Sequence, residues 1–246
     1  MKQCLFMGCL CALMLSACRI DSVSINGGQK IEPSSNIVKR EYPMKAFDEI
    51  DINVIANVKI IQTADSSSRV VLKAPDNYLE LFHFNVSDHE LDVRFVRNNV
   101  NIEARHVDIT IYTPKLQKLE NEGVANIETD RWKGSRLNVE NSGVGSLYLS
   151  GLNIGQIEVD CSGVGSVELS GTADEAELDC SGVGSIKAAG LKARRVSGEV
   201  SGVGGIQCHA TEELKAEVSG VGSLRYAGNP ERKELRRSGV GKIEEL

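Results

Sequence analysis

Acidic side chains recur at a fixed spacing in the second half of this 246-residue chain. Glu158 and Asp160 are followed 19 residues later by Glu177 and Asp179. On neighbouring strands these four carboxylates would lie on one face, about 5 Å apart, and would repel one another. One interpretation is a weak divalent-cation site, because calcium takes several carboxylate oxygens. The favoured interpretation is a solvated face that fixes strand register. The stripe continues at Glu140, Glu199 and Glu217.

Two cysteines supply a second candidate chemistry. Cys161 and Cys180 occupy equivalent positions in neighbouring repeats, at an expected separation that a disulfide tolerates. An oxidising periplasm would favour that bond. The preferred alternative is a pair of free thiols filling a core column that elsewhere holds valine.

The first residues predict a lipoprotein signal peptide over residues 1–17. Lys2 is followed by an apolar run of 11 residues from Leu5 to Leu15, which is too short to span a bilayer stably. The run ends in Leu15-Ser16-Ala17-Cys18, which resembles the bacterial lipobox. That resemblance implies lipidation of Cys18, including palmitate, and hence a membrane partner through the lipid anchor. The alternative is an ordinary secretory signal. Residues 18–46 are then the anchor and a polar tether.

The remaining chain is organised by the phrase Ser-Gly-Val-Gly, which returns six times at steps of 18 to 20 residues. A fixed period this short is typical of a solenoid whose repeats stack to bury a core. The six serines are Ser142, Ser162, Ser181, Ser201, Ser219 and Ser238.

Within each repeat, residues alternate as they do in a strand with one buried face. Val159 and Cys161 are apolar or small, and Asp160 between them is charged. A second alternation follows the phrase, and glycines recur where corners need a positive φ or a close backbone approach. These patterns predict an all-β fold, a right-handed parallel β-helix with one coil per 19–20 residues. Inward positions after the phrase are Leu147, Val167, Ile186, Ile206, Leu224 and Ile243.

Residues 47–246 are predicted to form one β-solenoid domain with two parts. Residues 116–246 hold the regular coils, and residues 47–115 form a less regular N-terminal cap. Within the cap, residues 82–95 predict a hairpin with a four-residue loop at 87–90. The segment Ile55-Ala56-Asn57-Val58 echoes Val124-Ala125-Asn126-Ile127, which indicates that the cap contains elaborated first coils.

Three features together carry a family resemblance: the lipobox, the opening Phe47-Asp48-Glu49-Ile50-Asp51-Ile52, and the Ser-Gly-x-Gly phrases. They resemble the auto-transporter adhesin family known as the head GIN domain, over roughly residues 47–246. The resemblance implies a β-helical cell-envelope protein without an established activity. It therefore supplies no catalytic residues and no cofactor.

Composition and residue placement favour binding over catalysis. A net charge of −6 with few aromatic residues excludes a nucleic-acid partner. The four histidines, His83, His89, His106 and His209, form no cluster with recognisable catalytic or metal-ligand spacing. We expect a non-catalytic, lipid-anchored binding or adhesion module of the outer membrane, with an unknown protein or glycan ligand. The smooth glycine-rich edge could receive a partner's backbone or a glycan, but the favoured interpretation is that its glycines serve the turns. The leaflet stays open. A polysaccharide-active β-helix enzyme and a purely structural envelope protein are the alternatives.

Overall fold

The structure is a computed structural model that describes residues 30–246. This part of the chain consists almost wholly of strands, with two short 3-10 turns at Asp76–Leu81 and Ala104–His106. The strands are β1 Ile37–Met44, β2 Glu49–Asn53, β3 Ile55–Gln62, β4 Ser68–Pro75, β5 Phe82–Ser87, β6 Glu90–Phe95, β7 Asp108–Thr113, β8 Lys118–Asn121, β9 Val124–Asp130, β10 Lys133–Asn141, β11 Val144–Cys161, β12 Val164–Cys180, β13 Val183–Val200, β14 Val203–Val218, β15 Val221–Ala227, β16 Arg232–Arg237 and β17 Lys242–Glu245. All seventeen belong to one hydrogen-bonded network.

The regular half is a parallel β-solenoid, as the repeat predicts. Strands β10 to β14 pair in parallel with their sequence neighbours, so Ser146 lies opposite Ser166 and Ser166 lies opposite Ser185. Repeats of unequal length stay aligned because the register shifts after the inward Leu149 and again after Glu168. The extra residues are therefore accommodated at the second corner of the coil, and the Ser-Gly-Val-Gly corner stays in register.

The core is a stack of equivalent side chains running along the solenoid. Leu147, Val167, Ile186, Ile206 and Leu224 are each at most 1% exposed. Each lies opposite its counterpart in the next coil. The inward columns are therefore those that the alternation predicts, and their apolar contacts provide the main stabilisation of the fold.

The cap also contains stacked coils, but their order in space differs from their order in the sequence. Ile55 pairs with Val124 and Val58 with Ile127, so the echo between the two segments is confirmed. The coil of β2 and β3 is inserted between the coil of β6 and β7 and the coil of β8 and β9. This arrangement could not be derived from the period, because the three coils are not consecutive in the chain.

Two details of the N-terminal part differ from the sequence-based expectation. Strand β1 falls within the segment assigned to the tether, yet it pairs antiparallel with β4. Its alternate residues Val38, Tyr42 and Met44 pack against the core, a pattern that the intervening charges obscure. The hairpin of β5 and β6 has a two-residue turn rather than a four-residue loop. Both turn residues, Asp88 and His89, have positive φ, which matches the right-handed twist of the strands.

The glycines of the repeated corners are required by contact rather than mainly by φ. A Cβ on Gly163 would lie 2.2 Å from the carbonyl oxygen of Gly143 in the neighbouring coil, and one on Gly182 would lie 2.3 Å from that of Ser162. Of the two reasons expected for these glycines, a positive φ is not shared by all corners, because neither Gly182 nor Gly184 has one. Close stacking of backbone on backbone is the physical reason for these glycines.

Candidate functional site

An exposed row of valines runs along the Ser-Gly-Val-Gly corners and is called the valine ladder below. The first five valines lie opposite one another in turn along the solenoid, and most of the valines have serines two positions before and after them. Exposure rises from 38% at Val144 to 54–59% in the middle and 86% at the last member. The ladder consists of Val144, Val164, Val183, Val203, Val221 and Val240.

One end of the valine ladder opens into a groove of about 1010 Å³, called the Tyr148 groove below. Ala104 and Arg105 form one side of the groove, and they belong to the loop that connects β6 to β7. The same loop contributes Val100 to a second, smaller groove that Val124 also lines, and Val124 is only 3% exposed. The groove therefore lies where the cap begins to cover the corner. Among its lining side chains are Lys59, Asn126, Glu128, Val144, Ser146 and Tyr148.

The Tyr148 groove combines one exposed aromatic ring with polar side chains held by their neighbours. Tyr148 is 48% exposed and lies between Glu128 and Glu168 on adjacent strands. Lys59 Nζ lies 2.8 Å from Glu128 Oε1, and this hydrogen bond raises the pKa of Lys59. The Asn126 carboxamide oxygen accepts a hydrogen bond from the backbone N–H of Ser146 at 3.3 Å. An apolar ring beside fixed donors and acceptors is the usual composition of a ligand site.

The acidic stripe is longer than the sequence indicates, because the cap extends it. Eight carboxylates lie in register on successive strands, followed by Arg236 opposite Glu217. This set, called the acidic ladder below, is in spatial order Asp92, Asp51, Glu120, Glu140, Asp160, Asp179, Glu199 and Glu217.

Burial and mutual repulsion disturb the titration of this ladder. Burial, with Glu122, Glu120, Asp92 and Glu90 nearby, raises the pKa of Asp51 to about 7. Burial and the adjacent carboxylates also raise the pKa of Asp179.

The four acids of the metal-site candidate stack in pairs, Glu158 opposite Glu177 and Asp160 opposite Asp179. Within residues 30–246, however, no three His, Cys, Asp or Glu side chains converge to hold a metal ion. The observed geometry is a linear array of carboxylates on a sheet, and a weak cation site stays the less favoured of the two interpretations of these residues.

The predicted cysteine column is present in the core. Cys161 lies directly opposite Cys180, and both are buried free thiols, as is Cys208. A hydrogen bond with Cys180, together with burial, raises the pKa of Cys161. Burial raises the pKa of Cys208 to about 12. Free thiols at Cys161 and Cys180 stay the preferred interpretation, and a disulfide between them stays the alternative.

The described part of the chain, residues 30–246, contains no helix long and apolar enough to cross a membrane. The predicted lipidation site, Cys18, lies outside the described residues. The histidines are dispersed: His83 and His89 lie on the β5–β6 hairpin, and His209 lies in β14. His106 accepts a hydrogen bond at 3.1 Å from Arg105 Nε and lies 3.7 Å from a Glu103 carboxylate oxygen.

Comparison with known proteins agrees with this architecture. The sequence model of the family described as "Putative auto-transporter adhesin, head GIN domain" matches residues 46–230. The chain belongs to this family. The head GIN domain resemblance inferred from the lipobox, the opening segment and the repeats is therefore confirmed. No functionally curated protein is significantly similar to the chain.

Solved structures share the head GIN domain fold. A putative adhesin from Bacteroides fragilis is 34% identical, with a TM-score of 0.84 over 88% of this chain and 100% of that one. A putative adhesin and a putative lipid binding protein from Parabacteroides distasonis are 23% and 21% identical, each with a TM-score of 0.70 over 89% of this chain and 100% of its own. The family and the relative from Bacteroides fragilis indicate an adhesion-like cell-envelope module.

Two features of the site were missed in the sequence although a signal was present. Every second residue from Glu140 to Tyr148 faces outward, so one outward face runs without interruption through the corner. These residues are Glu140, Ser142, Val144, Ser146 and Tyr148. This alternation places both Val144 and Tyr148 in solvent. The loop that closes the groove had no such signal, because its position depends on the inserted coil.

Proposed function

We propose that this chain is a lipid-anchored, non-catalytic adhesion module of the cell envelope that binds a glycan or protein ligand in the Tyr148 groove. The observation that carries the proposal is the groove itself. It places a half-exposed aromatic ring, two valines and several fixed polar groups on one continuous surface. Apolar contact from Tyr148 and hydrogen bonds from Asn126 and Lys59 suit a ligand with both apolar faces and hydroxyl or amide groups.

A glycan is the favoured ligand of the two. Each sugar ring offers a C–H face that can pack on the Tyr148 ring and hydroxyls that can pair with the carboxylate of Glu128 and the carboxamide of Asn126. A rigid scaffold supports such a site, because its polar groups are held by adjacent strands rather than by a free loop. The broad groove also leaves room for a chain that extends beyond one sugar.

The groove is tested with the full chain in detergent on a glycan array, followed by titration of any glycan it retains. Tyr148→Ala should weaken binding about tenfold or more, because aromatic anchors dominate such contacts. Lys187→Ala is the matched control, since Lys187 is exposed on the same sheet but does not line the groove. Retained glycan that is indifferent to Tyr148→Ala would refute the site. Capture of an envelope protein that depends on Tyr148 would establish the protein ligand instead.

The anchor is tested separately with Cys18→Ala. Lipidation at Cys18 predicts that the wild-type chain incorporates metabolically supplied palmitate and sediments with membranes, because several acyl chains hold a protein firmly to a bilayer. The variant should lose both the label and the membrane association. Unchanged label and unchanged fractionation would show that the leader is not a lipoprotein signal.

A further inference from the structure

We infer that Arg105 makes the Tyr148 groove selective for glycans that carry a carboxylate, such as chains that contain uronic acids. This inference rests on the ligand site proposed above and names the class of ligand that the site prefers. Arg105 lines the groove on the side formed by the loop between β6 and β7. Its side chain is 57% exposed, so a ligand in the groove can contact the guanidinium.

The guanidinium of Arg105 is held in place along one of its edges. Arg105 Nε donates a hydrogen bond to His106 Nε2 at 3.1 Å, and Arg105 Nη2 lies 2.6 Å from Glu103 Oε2. Glu103 is itself fixed, because its side chain is only 9% exposed and its other carboxylate oxygen lies 2.7 Å from Lys30 Nζ. Hydrogen bonds from Lys30 and Arg105 hold the pKa of Glu103 below its ordinary value. The carboxylate of Glu103 therefore stays charged and keeps Arg105 in position.

The other edge of the same guanidinium presents two parallel donors. A guanidinium is planar, and its Nε–H shares one edge with the nearer N–H of Nη2. The remaining edge consists of an N–H of Nη1 and the second N–H of Nη2, and Nη1 has no hydrogen-bond or ion-pair partner among residues 30–246. A carboxylate accepts two such parallel hydrogen bonds with its two oxygens, and this pairing is stronger than a hydrogen bond to a neutral hydroxyl.

The other charged side chains that line the groove already have partners of opposite charge. Lys59 Nζ lies 2.8 Å from Glu128 Oε1, and Asp108 Oδ2 lies 3.2 Å from the Nζ atom of Lys73 on β4. Arg105 therefore supplies the free cationic donors of the groove. The two acids also favour a carboxylate over a phosphate, because a phosphate carries about −1.5 to −2 charges and would be repelled more strongly.

An acidic glycan is favoured over an acidic peptide as the source of the carboxylate. A uronic acid carries a C–H face, hydroxyls and a carboxylate on one ring. One short stretch of such a chain can therefore pack on Tyr148, pair with the carboxamide of Asn126 and reach Arg105. The side chain of an Asp or Glu residue in a peptide supplies the carboxylate alone, and the other contacts would need further residues at matching positions.

An array of matched glycans tests the selectivity with the full chain in detergent. It carries uronic-acid and sialylated glycans beside their carboxyl-reduced forms, together with sulfated glycans and a Glu-rich peptide. The wild-type chain should bind a carboxylated glycan about tenfold or more tightly than its reduced form, because hydrogen bonds to charged groups are strong. A reduced form that binds equally well, and through Tyr148, would overturn this inference and leave the proposed groove standing. Preference for sulfated glycans or for the peptide would also overturn it, and binding of no glycan would refute the groove and the inference together.

Two substitutions of Arg105 separate the geometry of its donors from its charge. Arg105→Gln should weaken binding of the carboxylated glycan about tenfold or more and change binding of the reduced form about twofold or less. Arg105→Lys keeps the charge but not the planar pair of donors, so it should lose most of the same selectivity.

Arg97→Gln is the matched control, because Arg97 is exposed on the same loop but lines the second groove. It removes the same charge and should leave both titrations unchanged. Arg105 and Arg97 are exposed, so melting temperatures within about 2 °C of wild type verify folding of the variants. Selectivity that survives Arg105→Gln, or that Arg97→Gln removes, would refute the role of Arg105.

Discussion

The acidic ladder predicts that the solenoid becomes less stable as the pH rises from about 4 to about 7. Asp51 is the member on which this effect should concentrate. One of its carboxylate oxygens, Oδ1, is buried without a hydrogen-bond partner in the described residues. Its neighbours are better compensated: Asp92 lies 2.6 Å from Arg94, and Glu120 lies 2.8 Å from Lys118. Within residues 30–246, Asp51 alone among the three has no cationic partner.

The direction and size of the effect follow from linkage. The pKa of Asp51 is about 7 in the folded chain, against a reference of 3.8. Between these values the folded state holds a proton that the unfolded state has released, so the free energy of unfolding falls as pH rises from about 4 to about 7. A shift of about 3 pKa units corresponds to about 4 kcal/mol. Because Asp51 is only about half-buried, screening by solvent reduces this to about 2 kcal/mol.

Asp51→Asn removes the charge and should raise the melting temperature at pH 8 by about 4–8 °C, given about 2–4 °C per kcal/mol for a domain of this size. At pH 4 the variant and the wild-type chain should melt together. Thermal melts monitored by circular dichroism at both pH values measure this. Glu168→Gln, which removes an exposed carboxylate that is not part of the acidic ladder, controls for general loss of acidity. A variant that melts lower at pH 8, or that keeps the wild-type pH dependence, would refute the argument.

Three further predictions concern the corners, the cysteines and the metal-site candidate. Gly163→Ala should destabilise the fold by about 1–3 kcal/mol because its Cβ meets a backbone oxygen. The exposed Val164→Ala should change stability by about 0.5 kcal/mol or less. If chemical denaturation gives equal effects for the two variants, the close backbone contact at Gly163 is not what requires the glycine. Cys161 and Cys180 should react with a thiol reagent only after unfolding. If the protein is unfolded without reductant and these two thiols still fail to react, the disulfide is established. Millimolar calcium should leave the melting temperature unchanged, and a rise that disappears in Asp160→Asn would establish a cation site.

The regular coils could be predicted from the sequence because every repeat has the same pattern of inward and outward residues. The alternation around Asp160 identifies an inward and an outward face, and the return of the phrase aligns the coils. The cap could not be predicted in this way. The β2–β3 coil stacks between two coils that come later in the chain, and strand β1 joins the sheet through pairing with β4. Such long-range pairings leave no periodic signal in a single sequence.

The site shows the same division between local and long-range information. The outward direction of Val164 is a local property, since it lies two positions after the exposed Ser162 and the strand period is two. The glycines on both sides of Val164 indicate a tight turn, so its outward direction is not evident from the sequence. In the structure these glycines allow close backbone contact between coils. The closure of the Tyr148 groove is long-range, because Arg105 reaches the corner only after the inserted coil is in place. A ligand that bridges Arg105 and Tyr148 would therefore bind the assembled solenoid and not an isolated repeat. Its binding should be lost together with the cap in the melting transition.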